Sequence, residues 1–119
     1  MPVERRVEWT DAARADLRAI VFYIAQDDLQ AAFDVADRLE GRAATLSLLS
    51  TRGRLVPELR DLGYENTREL IEAPWRIIYR LDEYCVYIHA VVDGRRDLRA
   101  WLREQGARFE ATKPQNEQP

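Results

Sequence analysis

The sequence predicts an α+β domain in which an N-terminal antiparallel helical hairpin packs on a mainly antiparallel β-sheet, followed by a short C-terminal helix. Three observations predict this architecture. Apolar residues recur at helical spacing from residue 10 to residue 46, at strand spacing from residue 54 to residue 92, and again at helical spacing after residue 95. A run of helices followed by a run of strands, with no internal repeat, is typical of a single α+β domain.

The first elements are a short strand and two helices. Residues 3–9 are mixed in character and end in Trp9, which predicts a strand at the edge of the sheet. Thr10 has the side chain of an N-cap and precedes an amphipathic helix that runs to about Gln26. Asp28 is placed to cap a second helix, and the short connection makes the two helices antiparallel neighbours.

Strand patterns begin after Gly53. The segment RLVPEL, residues 54–59, predicts a short extended run, and its proline indicates a sheet edge because proline has no N–H to donate. Residues 60–66 form a polar loop around Gly63. Residues 67–72 alternate as a strand does, but neither face is purely apolar, so the orientation of this strand stays open.

The strongest strand signal runs from Trp75 to Val92 and predicts a β-hairpin. Two arms rich in β-branched and aromatic residues flank a polar turn at Asp82 and Glu83. Side chains alternate in the first arm, so one face carries apolar side chains for a core and the other carries arginines. The core face comprises Trp75, Ile77, Tyr79 and Leu81, and the opposite face comprises Arg76, Ile78 and Arg80.

The C-terminal region combines a last helix with a polar segment. Apolar residues at helical spacing predict a helix from Arg95 to about Gln105, with Gly106 as its stop. Residues 107–119 are polar and contain two prolines, which predicts a flexible tail. The single domain is therefore expected to span residues 1–106.

The charge balance limits the kinds of partner. The chain has 119 residues, 18 basic and 21 acidic, for a net charge of -3, and every basic residue except Lys113 is an arginine. Proteins that hold nucleic acid mainly through phosphates usually carry a basic excess. The whole-chain charge therefore argues against such binding, although a local arginine patch remains compatible with it.

Membrane and disulfide signals are missing from the sequence. No apolar run approaches the length of about 20 residues that a membrane helix needs. The N-terminal charges are not followed by the apolar stretch of a secretory signal. Cys85 is the single cysteine, and its place in a strand predicts a small buried core residue. These features favour a cytoplasmic protein that does not associate with membranes.

Five sequence segments, taken in order, carry a family resemblance. They are WTDAARADL from Trp9 to Leu17, GRLVPEL from Gly53 to Leu59, TRELI from Thr67 to Ile71, WRIIYRL from Trp75 to Leu81, and VYIHAVVDGRRDL from Val86 to Leu98. Together they resemble the ParE/RelE superfamily of toxins from type II toxin–antitoxin systems, which includes plasmid stabilisation proteins. The resemblance covers roughly residues 3–102 and implies a β-sheet with an N-terminal helical hairpin.

The ribonuclease members of that superfamily suggest one set of site residues. They cut messenger RNA by attack of the 2′-hydroxyl, which needs a proton acceptor, an acid and cations that stabilise the phosphorane. By resemblance, Arg76 and Arg96 hold the positions of phosphate-binding arginines, and Glu58 that of a general base. The departures from the ribonuclease pattern are Thr67, Arg68 and Glu69 in place of lysines, Trp101 and Leu102 in place of a tyrosine, and Asp93 in place of a histidine.

The resemblance therefore implies, as first choice, a non-enzymatic ParE-like toxin that binds and poisons DNA gyrase. Its partner is a cognate antitoxin whose C-terminal segment orders on the toxin, over a groove formed by the two N-terminal helices and the sheet edge. One alternative is a metal-independent messenger-RNA endoribonuclease, free or on the ribosome, that uses Glu58, Arg76 and Arg96. Another is a toxin homologue that only binds its antitoxin. Neither a cofactor nor a metal ion is expected.

Candidate target-binding residues are the arginines of the last strands and the following loop, namely Arg68, Arg76, Arg80, Arg95 and Arg96. Structural roles compete with these assignments. Arg76 and Arg80 could pair with glutamates, of which Glu58, Glu69 and Glu72 are candidates, and Arg95 to Asp97 could be a solvated helix start. His89 is more readily explained as a packed strand residue than as a general acid. The three tryptophans are expected in the core.

Overall fold

The computed structural model describes residues 3–105 and 108–109 and shows helices on both faces of one sheet. In chain order the elements are β1 (Arg6–Trp9), α1 (Asp11–Ala25), α2 (Leu29–Ala44), β2 (Arg54–Leu55), α3 (Pro57–Asp61), β3 (Thr67–Glu72), β4 (Trp75–Leu81), β5 (Cys85–Asp93) and α4 (Leu98–Gln105). The strand order is β1-β5-β4-β3-β2. β1 runs parallel to β5, and all other neighbours are antiparallel. The predicted α+β architecture is confirmed.

Both N-terminal helices begin at the predicted caps. The Thr10 hydroxyl accepts a hydrogen bond from the Ala13 N–H at 3.1 Å, and the Asp28 carboxylate accepts one from the Ala31 N–H at 3.0 Å. These side chains satisfy N–H groups that the first helical turn leaves without partners. Thr10 also donates to the carbonyl of Ile88, which fixes the start of α1 to β5. Among the described helices, none is long and apolar enough to cross a membrane.

The first core lies between the helical hairpin and the sheet. Its buried side chains come from both helices and from the three longest strands, and they include Ala13, Val35, Leu39, Leu46, Leu70, Ile77, Tyr79, Val86, Ile88 and Val91. The Tyr79 hydroxyl donates to the Ser50 carbonyl at 2.8 Å and accepts from the Gly53 N–H at 3.0 Å. A Cβ at Gly53 would lie 2.6 Å from that hydroxyl, so glycine is required by close approach.

The second core covers the opposite sheet face, which the sequence indicated as the arginine face. Its buried members are Val56, Leu59, Ile78, Ala90, Val92, Leu98, Trp101, Leu102 and Phe109. The short helices α3 and α4 supply four of these nine residues. The extended run predicted for residues 54–59 continues to Val56 but is wrong from Pro57, because Pro57 occupies the first turn of α3. Proline is favoured there, since its missing N–H would have no helical partner.

A β-bulge in β5 changes which side chains face each core. Ile78 pairs with Ala90 but Tyr79 pairs with Ile88, so His89 is the extra residue. Val91 consequently joins the first core, whereas the His89 ring lies 5.4 Å from the Phe109 ring of the second core. Strict alternation in β5 would place His89 and Val91 on one face, and the bulge breaks that alternation.

The C-terminal part differs from the prediction at its start. α4 begins at Leu98 rather than Arg95, and the Asp97 carboxylate accepts a hydrogen bond from the Ala100 N–H at 3.3 Å. Arg108 and Phe109 are helical, and Phe109 is fully buried. The rest of the predicted tail, and the predicted stop at Gly106, lie outside the described residues.

Replacing Phe109 by alanine should lower the free energy of unfolding by about 3–5 kcal/mol, because it removes a buried ring and leaves a cavity. Denaturant unfolding followed by tryptophan fluorescence measures this change. The matched control is Tyr84→Ala, whose side chain is 71% exposed, and it should change stability by less than about 0.5 kcal/mol. Equal effects of the two substitutions would show that Phe109 does not contribute to the second core.

Candidate functional site

The candidate functional site lies at the end of the sheet where β4 begins and β5 ends. The Gly94 N–H donates to the Pro74 carbonyl, with 2.6 Å between nitrogen and oxygen. A Cβ at Gly94 would lie 2.9 Å from the same oxygen, so the two chain segments can approach this closely only with glycine. Arg95 and Arg96 follow directly and are exposed. We call Pro74, Trp75, Gly94, Arg95 and Arg96 the arginine end of the sheet.

A groove of about 370 Å³ lies between the arginine end and α1. Ile20, Ile24 and Trp75 contribute apolar walls, and Tyr23 and Arg96 lie at its rim. We call it the α1 groove. A smaller hollow of about 290 Å³ lies on the other side of Trp75 and is lined by residues that include Arg54, Ile71 and Arg76. The arginine end therefore separates two concave surfaces.

The two exposed arginines at this end are in different electrostatic states. The Arg95 guanidinium donates to both carboxylate oxygens of Asp93, at 2.9 and 2.6 Å. Hydrogen bonds from Arg95 lower the pKa of Asp93 to about 2, so this pair is ionised and locally neutral at pH 7. The Arg96 side chain makes no ion pair with any residue in the described part of the chain. Arg96 is therefore the more available cation.

Arg76 lies behind the arginine end in a buried ion network. Its side chain is 10% exposed, and its Nε donates to an oxygen of Glu69, whose side chain is 0% exposed. The second Glu69 oxygen accepts from the Nε of Arg54, and the Arg76 Nη2 lies 3.5 Å from Glu58 Oε1. We call Arg54, Glu58, Glu69 and Arg76 the buried quartet after its buried pair, Glu69 and Arg76, since the Arg54 side chain is 65% exposed. It has no net charge and joins β2, β3, β4 and α3.

Arg76 forms the glutamate ion pairs that the sequence offered as its structural role. The guanidinium pairs with Glu58 and Glu69, so this arginine has the ion-paired geometry rather than an exposed one. Glu72, the third candidate partner, instead pairs with Arg38 and Arg42 of α2. Glu58 lies in the first turn of α3 and is the quartet member that this helix contributes.

The remaining candidate arginines are distributed elsewhere. Arg68 donates to the carbonyls of Gly53 and Thr51 at 2.7 and 3.3 Å, which holds the segment before β2. Arg80 lies near the other end of β4, with its guanidinium carbon 6.0 Å from the centre of the Tyr64 ring. Only Arg95 and Arg96 of the five predicted target-binding residues lie together on the surface.

His89 is enclosed in the second core. It is 1% exposed, and burial together with the charges of Arg80 and Arg108 lowers its pKa to about 4. The imidazole is therefore neutral at pH 7 and closed off from an external substrate, a geometry that does not suit a general acid. Burial also raises the pKa of the Cys85 thiol, which matches the expected core role rather than a nucleophile.

Two carboxylates have structural roles that the sequence patterns predicted only in part or not at all. Glu69 was one of three candidate partners for Arg76, but its second pairing with Arg54 and its place at the centre of the buried quartet were not predicted. Asp16 accepts from the Val91 N–H at 3.0 Å and from Arg108 at 2.8 Å. It was indistinguishable from a solvated charge of an amphipathic helix. Within residues 3–105 and 108–109, no group of three metal-ligating side chains is close enough to hold an ion.

Fold and site together describe a small α+β protein with a helical hairpin on the sheet and an apolar groove beside exposed arginines. Residues 7–98 match the family described as ParE toxin of type II toxin-antitoxin system, parDE, and the chain belongs to this family. It is a ParE-type toxin by family. Among curated proteins, none matches the chain significantly.

Two solved structures resemble the chain in fold. A chain of the chromosomal ParDE TA system from P. aeruginosa superposes with a TM-score of 0.63 at 19% identity, over 76% of this chain and 96% of that chain. A chain of the toxin-antitoxin complex RelBE2 from Mycobacterium tuberculosis gives a TM-score of 0.51 at 21% identity, over 76% and 92% of the two chains. Both similarities confirm the predicted ParE/RelE-like fold.

Substituting Glu69 by glutamine should cost about 3–5 kcal/mol in the free energy of unfolding, because Arg76 would remain buried without its main countercharge. The matched control is Asp61→Asn, which breaks the exposed Arg99–Asp61 pair and should cost less than about 1 kcal/mol. The double variant E69M/R76M should recover most of the loss, since it removes both buried charges. A double variant as unstable as E69Q would contradict this account.

The buried His89 should make stability fall in acid. The folded pKa is about 4 and the ordinary value is 6.5, so between these values the unfolded chain binds more protons and stability falls as the pH drops. The loss should reach about 3 kcal/mol. Urea unfolding of the wild type and of His89→Gln from pH 7 to pH 4 measures this loss. The difference between the two pH profiles isolates the contribution of His89, because the carboxylates contribute equally to both proteins. Identical pH profiles would contradict the prediction.

Proposed function

We propose that this ParE-type toxin stops growth by binding DNA gyrase, without catalysing RNA cleavage, and that a cognate antitoxin neutralises it in the cytoplasm. The observation that carries this proposal is the buried quartet. In the ribonuclease interpretation Arg76 must reach a phosphate, yet two carboxylates neutralise it inside the protein. Moving it outward would leave the buried Glu69 with Arg54 as its remaining countercharge, at a cost of up to about 3–5 kcal/mol.

The arginine end supports a protein target. Arg95 and Arg96 are exposed beside Tyr23 and Trp75, and arginine and aromatic side chains dominate the energetics of protein interfaces. The chain as a whole has a net charge of -3, which weakens attachment to RNA through phosphates alone. We therefore assign gyrase contact to Arg95 and Arg96, with Arg76 maintaining the fold behind them.

The α1 groove supports the antitoxin part of the proposal. Both similar structures are toxin-antitoxin complexes by title. In this chain, an apolar side chain of a partner segment would fit between Ile20 and Trp75, and a carboxylate beside it would reach Arg96 at the rim. A segment bound in this way orders on binding and covers the arginine end. Neutralisation then follows from competition for the same surface.

The endoribonuclease alternative retains one supporting contact. Glu58 lies 3.5 Å from Arg76, and its side chain is 24% exposed. A carboxylate is therefore in contact with one of the two candidate arginines, and the other, Arg96, is exposed. The third possibility, a homologue that only binds its antitoxin, makes no demand on these residues. Activity measurements separate the three.

The double variant R95A/R96A should trap gyrase-cleaved plasmid at least about tenfold less efficiently than wild type, because two exposed interface arginines are lost. Its free energy of unfolding should change by less than about 0.5 kcal/mol. The matched control is Arg6→Ala on edge strand β1, whose side chain is 76% exposed and which should trap cleaved plasmid like wild type. Supercoiling that continues at saturating wild-type protein would exclude gyrase as the target.

Transcript cleavage tests the alternative in the same preparations. Cleavage by the wild type that is lost in Glu58→Gln and Arg96→Ala would establish the nuclease. These variants are preferable to Arg76→Ala, which is expected to unfold the protein and would lose any activity for that reason. Unimpeded growth during expression without an antitoxin would leave only the antitoxin-binding homologue.

A further inference from the structure

The outer side of the helical hairpin exposes large apolar side chains near its connecting turn. Phe22 is 72% exposed on α1, and Leu29 and Phe33 are 60% and 54% exposed on α2. All three lie at the end where the antiparallel helices are joined. We call Phe22, Leu29 and Phe33 the hairpin patch. None of these three side chains belongs to either hydrophobic core.

Helix geometry places these side chains away from the sheet. Ile20 and Ile24 of α1 pack against the first core, and Phe22 lies two residues from each, which is about 200° around the helix. Leu29 and Phe33 are four residues apart and share one side of α2. The neighbouring Tyr23 lines the α1 groove, so the hairpin patch borders that groove but faces a different direction.

The charge around the hairpin patch is mainly acidic, although the exposed Arg18 lies four residues before Phe22 on the same side of α1. Residues 19–37 contain no lysine or arginine, whereas they include Asp27, Asp28, Asp34 and Asp37. None of these four aspartates forms an ion pair with another residue in the described ranges. Asp28 caps α2, and Asp34 accepts a hydrogen bond from Gln30. An apolar surface thus lies inside an acidic border.

We propose that the hairpin patch is a second docking surface, and that its occupant is an amphipathic helix of a partner protein with an apolar stripe flanked by lysine or arginine. A third helix packs naturally in the shallow groove between two adjacent helices. Its apolar stripe covers Phe22 and Phe33, and its basic flanks face the aspartates. This surface is separate from the arginine end and its role does not depend on gyrase binding.

Other occupants fit the charge less well. A second copy in a symmetric contact would bring two sets of four aspartates together, which is repulsive. An anionic lipid surface would be repelled for the same reason, since helices that bind membranes carry basic polar faces. Residues 110–119 contain no large apolar side chain to cover the phenylalanines. A basic amphipathic helix is the occupant that satisfies both the apolar and the charged components.

A synthetic helix of about 18 residues with leucines on one side and lysines along its flanks is a direct probe. The full chain should bind it, and F22Q/F33Q should bind at least about tenfold more weakly, because two apolar anchors are lost. Glutamine keeps helix propensity close to that of phenylalanine or better. Tyr84→Gln, on a side chain exposed in the β4–β5 turn, is the matched control and should bind like wild type.

Charge specificity and self-association complete the test. The same peptide with glutamate in place of lysine should bind far more weakly, and D27N/D34N/D37N should reduce affinity for the lysine peptide and its salt dependence. Equal binding of both peptides, or undiminished binding by F22Q/F33Q, would overturn the proposal. So would sedimentation showing a wild-type dimer that F22Q/F33Q converts to monomer, because a second copy would then be the occupant.

Discussion

The buried contact between Glu69 and Arg76 is the interaction on which the second face of the sheet depends. Glu69 on β3 and Arg76 on β4 neutralise each other inside the protein, and each reaches one further partner. The Glu58 contact brings α3 onto the sheet, and α3 then supplies Leu59 to the second core. Charges in this position are tolerated only while all partners remain, because a lone buried ion is costly.

Covering both faces of the sheet changes what its arginines can do. The hairpin packs on one face, whereas α3, α4 and Phe109 pack on the other, so side chains of β4 are buried in both directions. Trp101, Leu102 and Phe109 lie beyond residue 98, where the match to the ParE toxin family ends. The C-terminal helix therefore completes a core outside the matched region. At this end of the sheet the exposed cations are Arg95 and Arg96, which directly follow the tight turn at Gly94.

Sequence patterns predicted the elements whose signals are local. The caps at Thr10 and Asp28 and the strands of the Trp75–Val92 hairpin are confirmed, since each depends on residues close in sequence. Elements that depend on distant partners were not predicted. The β-bulge at His89 leaves no mark in the alternation of side chains, and the pairing of Glu69 with Arg54 joins residues 15 positions apart. The spacing of apolar residues along the sequence cannot predict such contacts, because they form only when the strands pair.

The net charge of -3 conceals two surfaces of opposite character, and this distribution matters more for binding than the sum. The hairpin end has four aspartates and no basic residue between positions 19 and 37, while the arginine end presents the exposed Arg96, which makes no ion pair within the described residues. Fields from exposed charges fade over about 8 Å at physiological ionic strength, so a partner at either surface experiences mainly the local sign. An acidic segment at the α1 groove and a basic helix at the hairpin patch can therefore be selected independently on one small domain.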